Sequence, residues 1–350
     1  MKIEERKGPT MLKIDAFCHV LPPRYRQALL DFLGPSAETR NPWIHRPVAL
    51  YDLEERFRLV EPYADYTQII SLAAPPPETL LPPDQCIAFV RLANEEMAEL
   101  VQRFPDRFFG FVASLPMHDP DAAIREAQYA TRELGAVGVQ IYTNVNGSSL
   151  DNERYLPLFA DLAERNVPIW VHPWRTADVP DFAAEPRSRY RAWWTFGWPY
   201  ETSIFMHCMV FWGLFDRFPG IKIITHHMGG FVPFAEGRLL VLSAPSGYVD
   251  PADAAARNQL RRQPAEYFRL FYADTALFGA EAATDCGLRY FGSSQVIFAT
   301  DFPFGLEGGA FVLRETLRIL ESTPLLSELD RHAVFHTNIL RLIGRTDAVT

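Results

Sequence analysis

Eight apolar runs of strand length punctuate the chain, at Lys13–Cys18, Thr67–Leu72, Phe108–Ser114, Ala136–Ile141, Pro168–Val171, Lys222–Thr225, Leu270–Ala273 and Val296–Thr300. Each is nearly continuous in its apolar character rather than alternating, the pattern of strands covered on both faces. Between them lie amphipathic stretches of helical period, among them 84–103, 119–134 and 151–165. Buried strands that alternate with helices pair in parallel, and eight such units predict a closed (β/α)8 TIM-like barrel rather than an open doubly wound sheet. The predicted barrel domain runs from 11 to 345, behind a loose polar tail at 1–10.

Two aromatic, proline-rich stretches break the alternation, Gly34–Leu50 and Trp174–Tyr200, and each follows a strand. In a barrel the segments after strands build the active-site face. The run AWWTFGWPYETS within the second stretch therefore either lines a pocket or plugs a core, since tryptophan suits both.

Composition narrows the class. With 48% hydrophobic and 22% charged residues the chain has the make-up of a globular domain and not of a disordered one. A formal charge of −9 without any cluster of Lys and Arg argues against a nucleic-acid partner, while single arginines still leave room for an anionic small molecule. Cys18, Cys86, Cys208 and Cys286 show no CxxC spacing, so neither a zinc knuckle nor a disulfide framework is expected, and a reducing cytoplasm fits. The stretch MKIEERKGPT lacks the apolar centre of a signal peptide, and no run approaches the length of a membrane span, so an unexported protein without a membrane partner is expected.

The candidate chemistry gathers at strand ends. His19 closes the first strand, His172 the fifth in PIWVHP, His226 and His227 the sixth in IKIITHHMGG, and Asp301 the eighth in VIFATDFPF. A lone histidine in such a place is usually a hydrogen-bonded structural group. Metal-type side chains at four separate carboxyl ends, where a barrel assembles its catalytic groups, instead predict a mononuclear site for a divalent ion. Adjacent residues at a strand end point to opposite sides, so only one of His226 and His227 should face the ion.

These segments resemble the amidohydrolase superfamily, specifically the amidohydrolase-2 branch that contains aminocarboxymuconate semialdehyde decarboxylase and related aromatic-acid decarboxylases. LKIDAFCHVLP is similar to that family's first strand, WVHP to its fifth, HHMGGFVPF to its sixth and ATDFPF to its eighth, in the family's order. The resemblance implies a distorted (β/α)8 barrel, His19, His172 and Asp301 as metal ligands, and His227, the histidine followed by x-Gly-Gly and so expected to be the one of the pair that faces the ion, as the catalytic group that activates water or substrate. Asp301 is expected to share the proton handling with it. It also implies Arg238 as an arginine that reaches into the neighbouring subunit of a homodimer to hold a substrate carboxylate, and Arg56 as a second carboxylate-binding arginine. One position departs from the pattern: the family carries His-x-His or Glu-x-His on its first strand, whereas here the earlier residue is Phe17. Alternation puts Phe17 and His19 on the barrel-facing side and turns Cys18 away, so no neighbour substitutes for the missing donor. Two imidazoles and a carboxylate still suffice for catalytic zinc, the first expectation, with manganese as the alternative.

Outside the resemblance, Arg175 follows HPW at the expected barrel mouth and is a candidate substrate-binding residue. Asp274 in YADTA is expected to orient a neighbour or to cap the next helix. Asn144 and Asn146 read first as turn residues, and His207 as structural. Three functions remain in play: a metal-dependent non-oxidative decarboxylase of a small aromatic or unsaturated carboxylic acid, a metal-dependent hydrolase of a lactone or cyclic amide, and a catalytically impaired barrel that binds small acids.

Overall fold

The structure, a computed structural model, describes residues 11–35, 42–244 and 251–345. The expected tail at 1–10 and part of the 34–50 stretch lie outside the described residues. Eight strands follow one another around a single sheet: β1 (Lys13–Val20), β2 (Tyr66–Leu72), β3 (Phe108–Ser114), β4 (Gly138–Tyr142), β5 (Ile169–His172), β6 (Ile223–Thr225), β7 (Tyr272–Asp274) and β8 (Val296–Ile297). Every neighbouring pair is parallel. The ring closes where Ala16 N donates to Phe298 O (2.9 Å) and His19 N to Phe302 O (2.7 Å). The predicted (β/α)8 barrel is therefore present.

Most expected strand boundaries shift by only one or two residues, but the eighth strand is shorter than the apolar run suggests. Side chains take over its ladder. Ala299 N donates to Thr275 Oγ1 (2.9 Å) and Thr300 N to Asp15 Oδ1 (3.1 Å), so the backbone past Ile297 is satisfied without a partner strand. Asp15, fully buried, also accepts from Tyr66 OH and Thr300 Oγ1, and thus pins the chain leading to Asp301 against β1.

The helices between strands cover the outside of the barrel for readable reasons. Pro83–Arg103 starts with proline in its first turn and buries Val90, Ala93, Met97 and Leu100 at helical spacing. Pro120–Arg132 is capped by Asp119, whose carboxylate accepts from Ala122 N. Inside the barrel, a separate apolar cluster of Ile14, Phe17, Ile69, Val112, Trp170, Ile224 and Ile297 fills the lower half. Trp170 crosses that interior to donate its indole N–H to Ala16 O (2.9 Å). It stands two residues before His172 on β5, so the two share a face and the indole forms a floor beneath the imidazole.

Candidate metal centre and cavity

Four side chains meet above that floor. His19, His172, His226 and Asp301 are all buried, and each offers one donor atom such that the four atoms lie within 4.8 Å of one another. Asp301 Oδ1 sits 3.0 Å from His19 Nε2 and 3.4 Å from His226 Nε2. His227 stands beside the group, its Nε2 3.7 Å from Asp301 Oδ2.

The orientation of each imidazole is set from behind. His172 Nδ1 donates to Pro173 O (2.7 Å), which leaves Nε2 as the lone-pair nitrogen. His19 Nδ1 is hydrogen-bonded to Ser71 Oγ at 3.1 Å, and His226 Nδ1 to Asp274 Oδ2. Asp274, expected to orient a neighbour, does so, and its other oxygen accepts from His227 N (2.9 Å) and Ala276 N (3.1 Å). On the inner side His19 Nε2, His226 Nε2, His227 Nε2 and Asp301 Oδ1 are buried without a hydrogen bond. Orphaned donors and acceptors of this kind cost free energy unless something joins them, and a divalent ion fits a set of two or three nitrogens and one carboxylate oxygen.

Electrostatics follow the same arrangement. Burial alone would raise the Asp301 carboxyl, but the imidazoles of His19, His226 and His227 around it hold it well below its usual range. Burial drives His172 well down, with the neighbouring imidazoles His19 and His226 adding to it, and burial likewise lowers His19 and His227. His226 is the exception: burial pushes it down, yet the Asp274 and Asp301 carboxylates outweigh that and place it at about 9.

The expectation that His226 turns away from the site is corrected. Strand geometry ends at Thr225, and alternation ends with it: His226 is extended, whereas His227 adopts the left-handed region at φ 56°. That turn swings the second ring back over the first, and the two stack at 3.8 Å between centroids. Both therefore face Asp301. Asp301 is itself left-handed at φ 66°, a conformation tolerated by Asp and met at functional sites, and it aims the carboxylate inward past the end of β8. Phe17 is buried on the barrel side as expected, with its ring 4.1 Å from that of His226.

Above the centre opens a cavity of about 880 Å³ with His172 and Asp301 in its lining. Trp174, Trp193, Trp194, Trp198, Phe278, Phe304 and Phe311 form its walls, so the tryptophan run lines a pocket and does not plug a core. Trp43, Arg46, Pro47 and Val48 from the earlier stretch line the same cavity.

The predicted arginines fare differently. Arg56 is fully buried and absent from the cavity wall; Nε donates to Gln68 Oε1 (2.8 Å) and Nη1 to His19 O (2.7 Å) and Ala49 O (3.2 Å). Its work is to hold the strand that carries His19, and the expected grip on a carboxylate is corrected. Arg175 likewise lies off this cavity, where it pairs with Glu201 at 3.1 Å and donates to Pro180 O. Arg238 is exposed on the helix Glu236–Ser243 and takes no part in the lining. The cationic residues that do line the cavity are Arg46 and Arg191, both exposed. Sequence reasoning passed over them because they lie in irregular segments, where periodicity says nothing about direction. Asn144 ties its turn to Trp174 O (2.7 Å), and His207 packs on Phe211 and Phe268, as structural residues would.

Comparison with known proteins places this geometry. The sequence model of the amidohydrolase family matches residues 15–345. A 2-amino-3-carboxymuconate-6-semialdehyde decarboxylase of Dictyostelium discoideum is 30% identical over 263 residues, covering 75% of this chain and 68% of that protein. A gamma-resorcylate decarboxylase of Polaromonas sp. is 32% identical over 283 residues, covering 75% of this chain and 80% of its own length. Among solved structures, a dihydroxybenzoic acid decarboxylase from Polaromonas sp. with bound manganese and the inhibitor 2-nitroresorcinol superposes with a TM-score of 0.74 at 26% identity, over 96% of this chain and 97% of that one. Eight parallel strands, metal-type side chains at their carboxyl ends and a family match across almost the whole barrel have one reading: this chain belongs to the amidohydrolase family.

Proposed function

We propose that this protein is a metal-dependent non-oxidative decarboxylase of a small aromatic carboxylic acid. The observation that carries the reading is the convergence of buried, unpartnered nitrogens of His19 and His226 with the Asp301 carboxylate at the foot of an aromatic cavity. Relatives named as decarboxylases of aromatic or unsaturated acids support it. His19, His172 and Asp301 would hold one divalent ion. Zinc suits the ligand set and manganese is the ion of the related solved structure, so the proposal is divalent and not element-specific.

Such an ion, when bound, would polarise a substrate carboxylate or a hydroxyl beside it. The chain supplies the rest. Trp174, Trp193, Trp194 and Trp198 offer flat apolar walls that seat an aromatic ring and keep bulk water from the reacting carbon. Arg46 and Arg191 draw an anion towards the cavity. His227 and Asp301, 3.7 Å apart, relay a proton drawn from solvent: it bonds to the carbon bearing the carboxylate as the bond to that carboxylate breaks, and carbon dioxide leaves. The pocket groups thus act on charge that develops along the reaction path, which is what raises a rate.

We further propose a homodimer in which Arg238 reaches the partner's site. Phe234, Leu240 and Val241 are exposed around it, at 86%, 59% and 63%, and an apolar surface of this kind suits an interface. Residues 11–345 would act as one domain, in keeping with the extent of the family match. No helix among the described residues is long and apolar enough to cross a membrane, and all four cysteines are free, which is compatible with a cytoplasmic location.

The test is product analysis on protein loaded with zinc or manganese. Carbon dioxide released from hydroxylated benzoates, with the decarboxylated phenol recovered in equal amount, is the expected outcome. A new acid formed from a lactone or cyclic amide with no carbon dioxide would replace this reading by a hydrolase. Tight binding of aromatic acids without turnover would replace it by a binding barrel.

A further inference from the structure

We infer that His226 supplies the metal ligand that β1 lacks at Phe17, with Asp274 as the residue that positions it. The inference rests on the metal-dependent reading above and specifies which side chains complete that site.

Phe17 shares the inner side of β1 with His19; its ring lies 5.1 Å from the His19 ring and 4.1 Å from the His226 ring. A hydrocarbon there can coordinate nothing, and it is fully buried. The His226 ring packs directly against this phenyl face. Its Nε2 has no hydrogen bond, is buried, and stands 3.4 Å from Asp301 Oδ1 within the same 4.8 Å set as donor atoms of His19 and His172. The phenyl group thus fills the space of a first-strand ligand and at the same time forms the wall against which a sixth-strand ligand is packed.

The rear of the ring is built for the same purpose. A metal-binding imidazole ordinarily gives its second nitrogen to a carboxylate or carbonyl, which fixes the ring and strengthens its donor. His226 Nδ1 meets Asp274 Oδ2 in this way. Asp274 is in turn held by two backbone N–H groups, so it cannot swing out. A purely structural role for His226 would leave Nε2 buried and unsatisfied. A buried nitrogen of this kind is unfavourable unless it has a partner.

Zinc-edge anomalous diffraction on crystals of the zinc-loaded full chain is the direct test. His226 Nε2 at about 2.0–2.1 Å from the ion, alongside His19, His172 and Asp301, is expected. An ion bound to those three with His226 Nε2 out of bonding range would overturn the inference and leave the metal-dependent reading standing, whereas wild-type protein that takes up no divalent ion would overturn both. Metal-binding titrations extend the test to solution, with circular dichroism confirming that each variant is folded. His226→Ala should weaken zinc binding by about 100-fold or more, and Asp274→Asn by about 10–100-fold. Phe17→His in the His226→Ala background should restore much of the affinity, because it returns a donor to the strand that lacks one. Unchanged affinity in folded His226→Ala would contradict the assignment.

Discussion

At the scale of single residues, two buried charges show how burial and pairing divide structural from chemical work. Arg56 is expected from the family resemblance to bind substrate, yet its guanidinium serves the carbonyl of His19, the carbonyl of Ala49 and the side chain of Gln68. Replacing it by methionine would strand those acceptors in the interior, and a loss of about 2–4 kcal/mol in urea unfolding is expected, well beyond a surface arginine. Glu78 poses the opposite case. Both its carboxylate oxygens are buried without a hydrogen bond, and burial lifts the carboxyl to about 7 from an ordinary 4.5. The folded chain therefore keeps a proton that the unfolded chain releases, so stability declines as pH rises through the window from about 4.5 to about 7 and is level above it. Glu78→Gln removes that decline. The variant should gain on the wild type by up to about 3 kcal/mol between pH 4.5 and pH 8. Denaturant melts at the two pH values check this, and a wild-type-to-variant difference that does not grow with pH would count against it.

At the scale of elements, the site depends on what fills the barrel below it and on how strands end. Gly138 on β4 has no side chain because the Trp170 ring occupies that space: a Cβ there would lie 2.3 Å from Trp170 Cζ3 and 2.6 Å from Pro168 O. Gly138→Ala should thus shift the indole that underlies His172. A loss of about 1–3 kcal/mol is expected from overpacking, together with weaker zinc uptake, and calorimetry with a metal titration measures both. A tolerated alanine with unaltered metal affinity would mean that the floor does not position the site. Strand ends matter as much. The period of the apolar runs located β6 and β8 to within a few residues, but it assumed that alternation persists to the last histidine. The left-handed residues His227 and Asp301 break that assumption, and they are what bring both imidazoles of the pair and the carboxylate to one point.

At the scale of the whole molecule, the barrel gathers donors that lie up to 282 positions apart in sequence, from His19 to Asp301. An ion that binds only this folded arrangement stabilises it by mass action. Removal of the metal with a chelator should lower the melting temperature, the effect corresponding to about 4 kcal/mol when free metal stands at a thousand times its dissociation constant. An equal melting temperature with and without metal would argue that the donors do not act together. The proposed dimer is testable at the same scale. Arg238→Ala should reduce turnover at least tenfold while light scattering still reports a dimer, and mixing it with a His227→Ala partner should recover part of the activity, because one mixed site regains both residues. No recovery on mixing would place Arg238 outside the partner's site.

The sequence by itself determined the barrel, since continuous apolar runs with amphipathic stretches between them leave a parallel closed sheet as the way to bury both faces. It also determined which strand ends bear His19, His172 and Asp301, because order along the chain becomes order around the ring. Tertiary structure alone decided the direction of side chains where regular geometry stops: His226 inward beside His227, Arg56 inward to backbone, Arg175 to Glu201, Arg46 and Arg191 to the cavity. The physical reason is that period 2 fixes a face only within a strand. Beyond it, left-handed turns and distant partners such as Asp274 set each direction, and these are contacts between residues that no local pattern connects.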